Sequence, residues 1–208
     1  MVNTITLDNP SAVFATRDRI IEVAIRRFGH FEFDNTTMTE IALDASMSKQ
    51  ALSNYFSDKR TLITSVIEKV IGEYIGTIEK DIAGSRNVPD ALEKFLSARK
   101  NLHQKYMMLV AQLIDPQSLL WNKSLIEAKD NLKEKEMNLL RNLFRQGITS
   151  GELRPMDAES TAILLLDVFN AMYIHAVDWN SIPDPKASEE LYQRQHDLLV
   201  LMYMGMKC

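Results

Sequence analysis

Cysteine, glycine, proline and excess positive charge are all scarce in this 208-residue chain. The single cysteine, Cys208, has no partner for an internal disulfide, so we expect a protein of a reducing compartment, the cytoplasm. Only 7 glycines and 6 prolines interrupt the sequence, which favours an ordered and helix-rich fold. Lysine and arginine number 24 against 28 acidic residues, and this net charge of -4 argues against a protein that binds nucleic acid without selectivity.

Long hydrophobic runs are also missing. The longest apolar stretches, 162–169 and 198–204, are shorter than the roughly 20 residues that span a bilayer. The first ten residues lack a basic segment followed by an apolar run, so we expect neither a secretory signal nor a membrane span.

The sequence also contains little that would support catalysis. It has no glycine-rich phosphate loop, its only thiol is terminal, and its four histidines form no close ligand pair: His30, His103, His175 and His196. We therefore expect no enzymatic activity, no metal site and no cofactor.

Apolar residues recur at helical spacing along nearly the whole chain, and no segment alternates with the period of a strand. The sequence therefore predicts an all-α fold. A first amphipathic helix is predicted from Arg17 to Phe28, with Ile20, Ala24 and Phe28 on its apolar stripe. Four arginines would remain available to solvent: Arg17, Arg19, Arg26 and Arg27.

Two short helices are predicted next. Thr37 and Glu40 have the spacing of a capping box, and the apolar side of the helix they begin would consist of Met38, Ile41, Ala42 and Ala45. Ser48 is predicted to cap a third helix with Ala51, Leu52 and Tyr55 inward and Lys49, Gln50, Ser53 and Asn54 outward. Two short helices joined by a tight turn form a helix-turn-helix unit. A fourth helix is predicted from the N-cap Asp58 to Ala83.

From Arg17 to Val66 this pattern resembles the TetR family of bacterial transcriptional regulators. The resemblance is carried by residues 16–21, Ala24, Phe28, Phe33, Thr36, Thr37, Ile41, Ala42, Ala45, Ser48, Lys49, Leu52, Tyr55, Phe56, Lys59 and Leu62, and more weakly by Gly147 and residues 151–153. It implies a three-helix DNA-binding domain over residues 1–62 and a larger helical domain for ligand binding and dimerisation over residues 63–208. It further implies a repressor that binds a palindromic operator as a homodimer and is released by a small molecule.

The sequence departs from the family pattern at four positions. Glu32 stands where a glycine usually ends the first loop, and Ser46 replaces the glycine of the helix-turn-helix turn. Both positions favour a positive φ angle, which a side chain tolerates poorly, so we expect remodelling of the first loop. Ser53 and Asn54 replace the customary Tyr and His of the third helix, so the operator sequence of better-known relatives does not transfer to this chain.

A helix in the major groove reads base edges with its outward side chains. Gln50 and Asn54 can each pair with adenine, and Lys49 can reach guanine or a phosphate. Ser53 completes this face, the Tyr55 hydroxyl can add a contact, and Thr37 and Lys59 stand at helix starts that favour phosphate oxygens. The alternative is that these residues are only a solvated polar face and helix caps.

Residues 1–62 contain seven basic and eight acidic side chains, so DNA binding would depend on their placement. Five cations could lie toward one side: Arg26, Arg27, Lys49, Lys59 and Arg60. We expect weak non-specific binding and a requirement for two half-sites.

The C-terminal part offers candidates for a ligand pocket that combine apolar bulk with polar tips: Tyr74, His103, Tyr106, Met107, Gln112, Trp121, Phe144, Phe169, Tyr173 and Trp179. Each could instead fill the core, and a TetR-like protein that responds to a protein partner rather than a small ligand remains an alternative. The segments 158–179 and 191–206 are apolar nearly all round. They are either the paired helices of a four-helix dimer interface or interior helices of a monomer.

Overall fold

The structure is a computed structural model that describes residues 10–114, 123–176 and 185–208. These residues form the α-helices α1 (Pro10–Phe31), α2 (Met38–Asp44), α3 (Lys49–Ser53), α4 (Lys59–Ala83), α5 (Val88–Lys105), α6 (Met107–Ile114), α7 (Lys123–Thr149), α8 (Ala158–Ala176) and α9 (Pro185–Met206). Within them no strand is formed, and one isolated antiparallel bridge joins Leu153 to Lys207. The predicted all-α fold is confirmed.

Helix α1 buries the predicted apolar stripe, since Ile20, Ala24 and Phe28 are each 0% exposed. It begins at Pro10, so the prediction of a start at Arg17 was wrong. Proline is favoured at the first position of a helix because its φ angle already matches and its missing N–H would have no partner there.

The caps of the next helices are as predicted. The backbone N–H of Glu40 donates to Thr37 Oγ1 at 3.3 Å, and the backbone N–H of Thr37 donates to Glu40 Oε2 at 2.8 Å, which completes the capping box. The hydroxyl of Ser48 accepts from the Ala51 N–H at 3.1 Å. Asp58 caps α4 by accepting from the Thr61 N–H at 2.8 Å.

The two positions where glycine is replaced keep a left-handed backbone. Glu32 has a φ of 61° and Ser46 a φ of 54°. At Glu32 the local bonds hold this conformation, because Thr36 Oγ1 donates to its carbonyl and Asn35 donates to its carboxylate. The strained geometry is therefore tolerated at both positions instead of being avoided.

The chain divides into two compact units between Lys69 and Val70, inside α4. The N-terminal unit contains α1 to α3 and the first part of α4, and the C-terminal unit contains the rest of α4 and α5 to α9. The functional domain boundary after Leu62 stays a prediction.

The C-terminal unit has a core of aromatic side chains in which Phe95, Phe144 and Phe169 are 0% exposed. Helix α8 packs on α7, and α9 packs on α5 and α8. Gly147 permits a close approach near the end of α7, because a Cβ there would lie 2.7 Å from a methyl of Val88 and 2.8 Å from one of Leu153. The turn that follows passes through Gly151, whose φ is 76°.

Candidate DNA-binding and effector sites

The outward side of α3 is polar and open. Lys49, Gln50, Ser53 and Asn54 are all exposed, and we call these four residues the reading face. Leu52 is fully buried on the opposite side, which fixes the rotation of α3, and Tyr55 is half-buried. The Ser53 hydroxyl donates to the Lys49 carbonyl at 3.0 Å, so its oxygen remains able to accept. The side chains therefore point as predicted, and their contact with DNA stays a prediction.

Thr37 and Lys59, predicted as phosphate contacts, both make bonds inside the N-terminal unit. Thr37 is the N-cap of α2 and is bonded to Glu40. The ammonium of Lys59 donates to the carbonyls of Phe33 at 2.8 Å and Thr36 at 3.1 Å. These two carbonyls lie in the loop that leads into α2.

Two of the four arginines predicted to remain available to solvent do not. The Arg17 guanidinium lies 4.8 Å from the centre of the Phe56 ring and donates to the Ser65 hydroxyl at 2.8 Å. Arg27 forms ion pairs of 2.8 Å with both Glu40 and Asp44. The prediction failed at Arg27 because α2 packs against α1 and brings its carboxylates to this arginine. It failed at Arg17 because Phe56 and Ser65 lie against the guanidinium.

Arg19 is exposed, and it donates to the carbonyl of Ala45 at 2.9 Å. In residues 10–69, four exposed arginine and lysine side chains take part in no ion pair: Arg19, Arg26, Lys49 and Arg60. The charge available for DNA phosphates is accordingly smaller than the count of basic residues indicates.

A buried polar network crosses the C-terminal unit. It consists of Tyr74 on α4, Arg99 on α5, Glu136 on α7 and Asn170 on α8. Glu136 Oε1 accepts from the Tyr74 hydroxyl and from Arg99 Nη1, both at 2.5 Å, and Arg99 Nη2 donates to the Asn170 side chain at 2.8 Å. Burial first, and the Glu136 carboxylate second, hold the pKa of Tyr74 well above its usual value, so this hydroxyl keeps its proton.

Three predicted ligand residues, His103, Phe169 and Tyr173, lie close to Arg99. The rings of His103 and Tyr173 are 4.0 Å apart, and the Arg99 guanidinium is 5.9 Å from the Phe169 ring centre. Desolvation, helped by the charge of Arg99, lowers the pKa of His103 to about 3, so its imidazole is neutral. Desolvation also raises the pKa of Tyr173 to about 12.

Of the other predicted ligand residues, Tyr74 reaches Arg99 through the buried network, and the rest do not join this group. Tyr74 and Tyr106 line an open cleft of about 120 Å³, where the Tyr106 hydroxyl donates to Glu73 at 2.8 Å. Phe144 is core, Met107 is half-buried, and the buried Gln112 donates to the Met108 carbonyl at 2.9 Å. Trp121 and Trp179 lie outside the described residues.

Sequence reasoning missed Arg99 and Glu136. The signal was a charge inside an apolar stripe. Arg99 follows Phe95 by four residues, and Glu136 precedes Leu140 by four, so each charge shares a face with buried residues of its own helix. Two opposite charges at such positions indicate a buried pair.

In the described part of the chain, no group of histidine, cysteine and acidic side chains has an arrangement that could hold a metal ion. The helices of the described residues are also too short or too polar to cross a bilayer.

The segment that folds into the helix-turn-helix has a recognised sequence family. Residues 20–66 match the model of bacterial regulatory proteins of the tetR family. This segment of the chain is therefore that of a TetR-family regulator. TetR-family members are DNA-binding transcriptional regulators, and dimers and repressors are typical of the family.

The similarity to transcriptional regulators extends beyond this segment. The uncharacterized HTH-type transcriptional regulator YhgD of Bacillus subtilis is 24% identical over 83% of this chain and 88% of its own length. A transcriptional regulator from Cytophaga hutchinsonii has a crystal structure with a TM-score of 0.79, covering 92% of this chain and 98% of that one at 23% identity. These proteins are transcriptional regulators and not enzymes.

A third similar protein has been crystallised with its ligands. The regulator AibR, solved in complex with isovaleryl coenzyme A and operator DNA, matches with a TM-score of 0.63 and 18% identity over 88% of this chain and 97% of its own. At this identity the likeness establishes a shared fold.

Proposed function

We propose that this TetR-family regulator is a repressor that binds a palindromic operator as a homodimer. In this proposal the reading face of α3 contacts bases in the major groove, and an apolar or amphipathic small molecule bound in the C-terminal unit releases the DNA. The observation that carries it is the exposure of Lys49, Gln50, Ser53 and Asn54 on a short capped helix whose other side is anchored by buried Leu52.

The chemistry of the reading face supports contact with bases. The side-chain amides of Gln50 and Asn54 can each donate to N7 and accept from N6 of adenine, and Lys49 can donate to guanine O6 or N7. None of the four side chains is in an ion pair within the N-terminal unit, so contact with DNA would break no internal salt bridge. Thr37, Tyr55 and Lys59 are proposed to border this contact, with Thr37 and Tyr55 nearest to the phosphates.

Exposed apolar side chains on the last two helices support a dimer. Helix α8 exposes Leu164 at 59% and Ile174 at 50%, and α9 exposes Leu201 at 70% and Met204 at 58%. Helices interior to a monomer would cover such side chains, whereas paired helices of a second copy would bury them against each other. A two-fold dimer presents two reading faces, which match a palindromic operator.

Two observations support an apolar or amphipathic effector near Arg99. His103, Phe169 and Tyr173 supply apolar rings with polar tips, and neither His103 nor Tyr173 is charged near neutral pH. The positive charge of Arg99 is already paired with Glu136 at 2.5 Å. Buried uncompensated charge is costly, so a ligand without full charge at this end fits these residues best. AibR, which shares the fold, was solved with an acyl coenzyme A ligand.

Selection of bound fragments from a genomic DNA pool would test the DNA-binding part. We expect fragments that share an inverted repeat with half-sites about one helical turn apart. Binding of the selected duplex should exceed binding of a scrambled duplex of equal length by at least about 10³-fold at physiological salt. Equal affinity for the two duplexes would contradict the proposal.

The effector part needs a separate test on the selected operator complex. A set of apolar and amphipathic compounds is screened for those that raise the unfolding temperature of the free protein, and the positive compounds are added to the complex. We expect stabilising compounds to release the DNA, because only a ligand that prefers the non-binding conformation can shift the equilibrium. Release that requires a protein extract, with no active small compound, would favour a protein partner instead.

A further inference from the structure

Three cations of the N-terminal unit contact α2 or its flanking residues from neighbouring helices. Lys59, at the start of α4, donates to the Phe33 and Thr36 carbonyls just before α2 begins. Arg27 on α1 pairs with Glu40 and Asp44 along the side of α2. Arg19, also on α1, donates to the carbonyl of Ala45, the residue that ends α2.

We propose that Arg19, Arg27 and Lys59 are positioning residues that act as a clamp on α2, and that Arg27 and Lys59 do not serve as phosphate ligands. This α2 clamp holds the helix at its entrance, along one side and at its exit. The exit matters most for DNA recognition, because Ala45 immediately precedes Ser46, whose strained φ of 54° turns the chain into α3. A fixed Ala45 carbonyl therefore fixes the direction in which the reading face leaves the turn.

Lys59 and Arg27 already use donor groups inside the N-terminal unit. An ammonium has three donors, and Lys59 uses two of them on carbonyls. Arg27 contacts two carboxylates, and its hydrogen bond to Asp44, ahead of the other contributions, raises its pKa above the usual value. A DNA phosphate would have to compete with two carboxylates for Arg27. Phosphate contacts then fall to exposed cations outside the clamp, such as Lys49 and Arg60.

The clamp also accounts for regulated DNA binding by a chain with a net charge of -4. Most cations of the N-terminal unit stabilise its own fold, so few counterions are released when DNA binds. The dependence of affinity on salt should be correspondingly shallow. This inference rests on the proposed function for its DNA readout, and a second readout without DNA keeps the two separable.

The DNA readout compares the salt dependence of operator binding by the full-length wild type with that of the variants Arg27→Met, Lys59→Met and, as a contrast, Lys49→Met. Loss of a phosphate contact from both subunits flattens the slope of log K against log salt by about 1.8, or about 0.9 for each contact. Among the three variants, we expect this flattening only for Lys49→Met. The clamp variants should weaken binding by roughly tenfold at every salt concentration with an unchanged slope. Flattening in Lys59→Met and Arg27→Met would overturn the proposal.

The readout without DNA is amide hydrogen exchange at Thr36, Thr37 and Ile41 in the free protein. We expect Lys59→Met to speed exchange at these amides by tenfold or more, and Lys49→Met to leave them unchanged. Unchanged exchange in Lys59→Met would overturn the clamp even if the protein binds DNA. Should Lys59→Met fail to fold, Lys59→Gln, which retains a donor, replaces it with a smaller effect in the same direction. If the wild type binds no duplex selectively, the proposed function fails, whereas the exchange result still decides the clamp.

Discussion

The two units of this chain use charged side chains in different ways. In residues 10–69, Arg27 pairs with Glu40 and Asp44 where the carboxylate side chains remain about 40% exposed. In the C-terminal unit, Arg99 and Glu136 pair with side chains that are only 6% and 4% exposed. Exposed pairs are screened and individually weak, whereas removal of one partner from a buried pair leaves an uncompensated charge. The N-terminal unit should therefore tolerate changes of charge that the C-terminal unit does not.

The largest expected effect is on the buried network. Replacement of Glu136 by leucine strands the Arg99 charge, which should lower the free energy of unfolding by about 3–5 kcal/mol. Chemical unfolding followed by tryptophan fluorescence measures this, because both tryptophans belong to the C-terminal part of the sequence. Glu134→Leu, at an exposed position two residues away on α7, is the matched control and should change stability by less than about 0.5 kcal/mol. Equal effects of the two variants would remove the contrast between the units.

The next effect concerns exposed apolar side chains. Leu201 on α9 is 70% exposed, and Leu43 on α2 is 76% exposed. If α9 forms the dimer interface, Leu201→Glu should raise the dimer dissociation constant by at least about 30-fold, which corresponds to a hot spot of about 2 kcal/mol. Leu43→Glu should leave the dimer intact. Sedimentation velocity over a range of concentrations separates the outcomes, and a Leu201→Glu dimer as stable as the wild type would contradict the proposed interface.

The pH dependence of stability should also differ between the units. In the folded protein the pKa of His103 is about 3, below its ordinary value of 6.5. Between these two pH values the protein therefore takes up a proton when it unfolds. Stability from this group is complete above about pH 6.5 and falls as the pH drops toward 3, by on the order of 2 kcal/mol at pH 5. In the N-terminal unit the lowered pKa values of Glu40 and Asp58 cause a loss of stability only below about pH 4.5.

Urea unfolding at pH 7 and pH 5 tests the histidine. The wild type should lose stability between these values and His103→Gln should lose much less. A loss of the same size in both proteins would show that His103 is not responsible.

The smallest effect is expected at the strained turn. Ser46→Gly should stabilise the protein by roughly 0.5–1 kcal/mol, because a left-handed backbone costs an L-residue about 1–2 kcal/mol and the entropy of glycine opposes about half of that gain. Ser46 is exposed, so no packing is lost. Ser53→Gly, inside α3, should instead destabilise. A destabilised Ser46→Gly would mean that the serine side chain contributes contacts at this turn.

Local features of the fold could be predicted from the sequence. The capping box of Thr37 and Glu40, the Ser48 cap and the outward side of α3 all depend on residues within four positions of each other. Periodicity and side-chain chemistry are sufficient for such features. Pro10 was also a local signal for the start of α1, but the prediction placed this start later in the chain, at Arg17.

Contacts between distant residues could not be predicted. Lys59 reaches carbonyls 26 and 23 residues away, and Arg99 meets a carboxylate 37 residues away. A basic side chain looks the same in the sequence whether it is bound internally or free for a phosphate. The roles of Arg17 and Arg27 therefore depend on which helices pack together, and this is a property of the whole fold.

The most direct test of DNA recognition is the binding selectivity of Gln50→Ala/Asn54→Ala on the selected operator and on a scrambled duplex. Each lost adenine contact should cost about 1–3 kcal/mol on the operator and little on the scrambled duplex. We therefore expect the preference for the operator to fall by at least about 30-fold, whereas Gln104→Ala, at an exposed position on α5, should retain it. An unchanged preference in the double variant would contradict recognition by the reading face of α3.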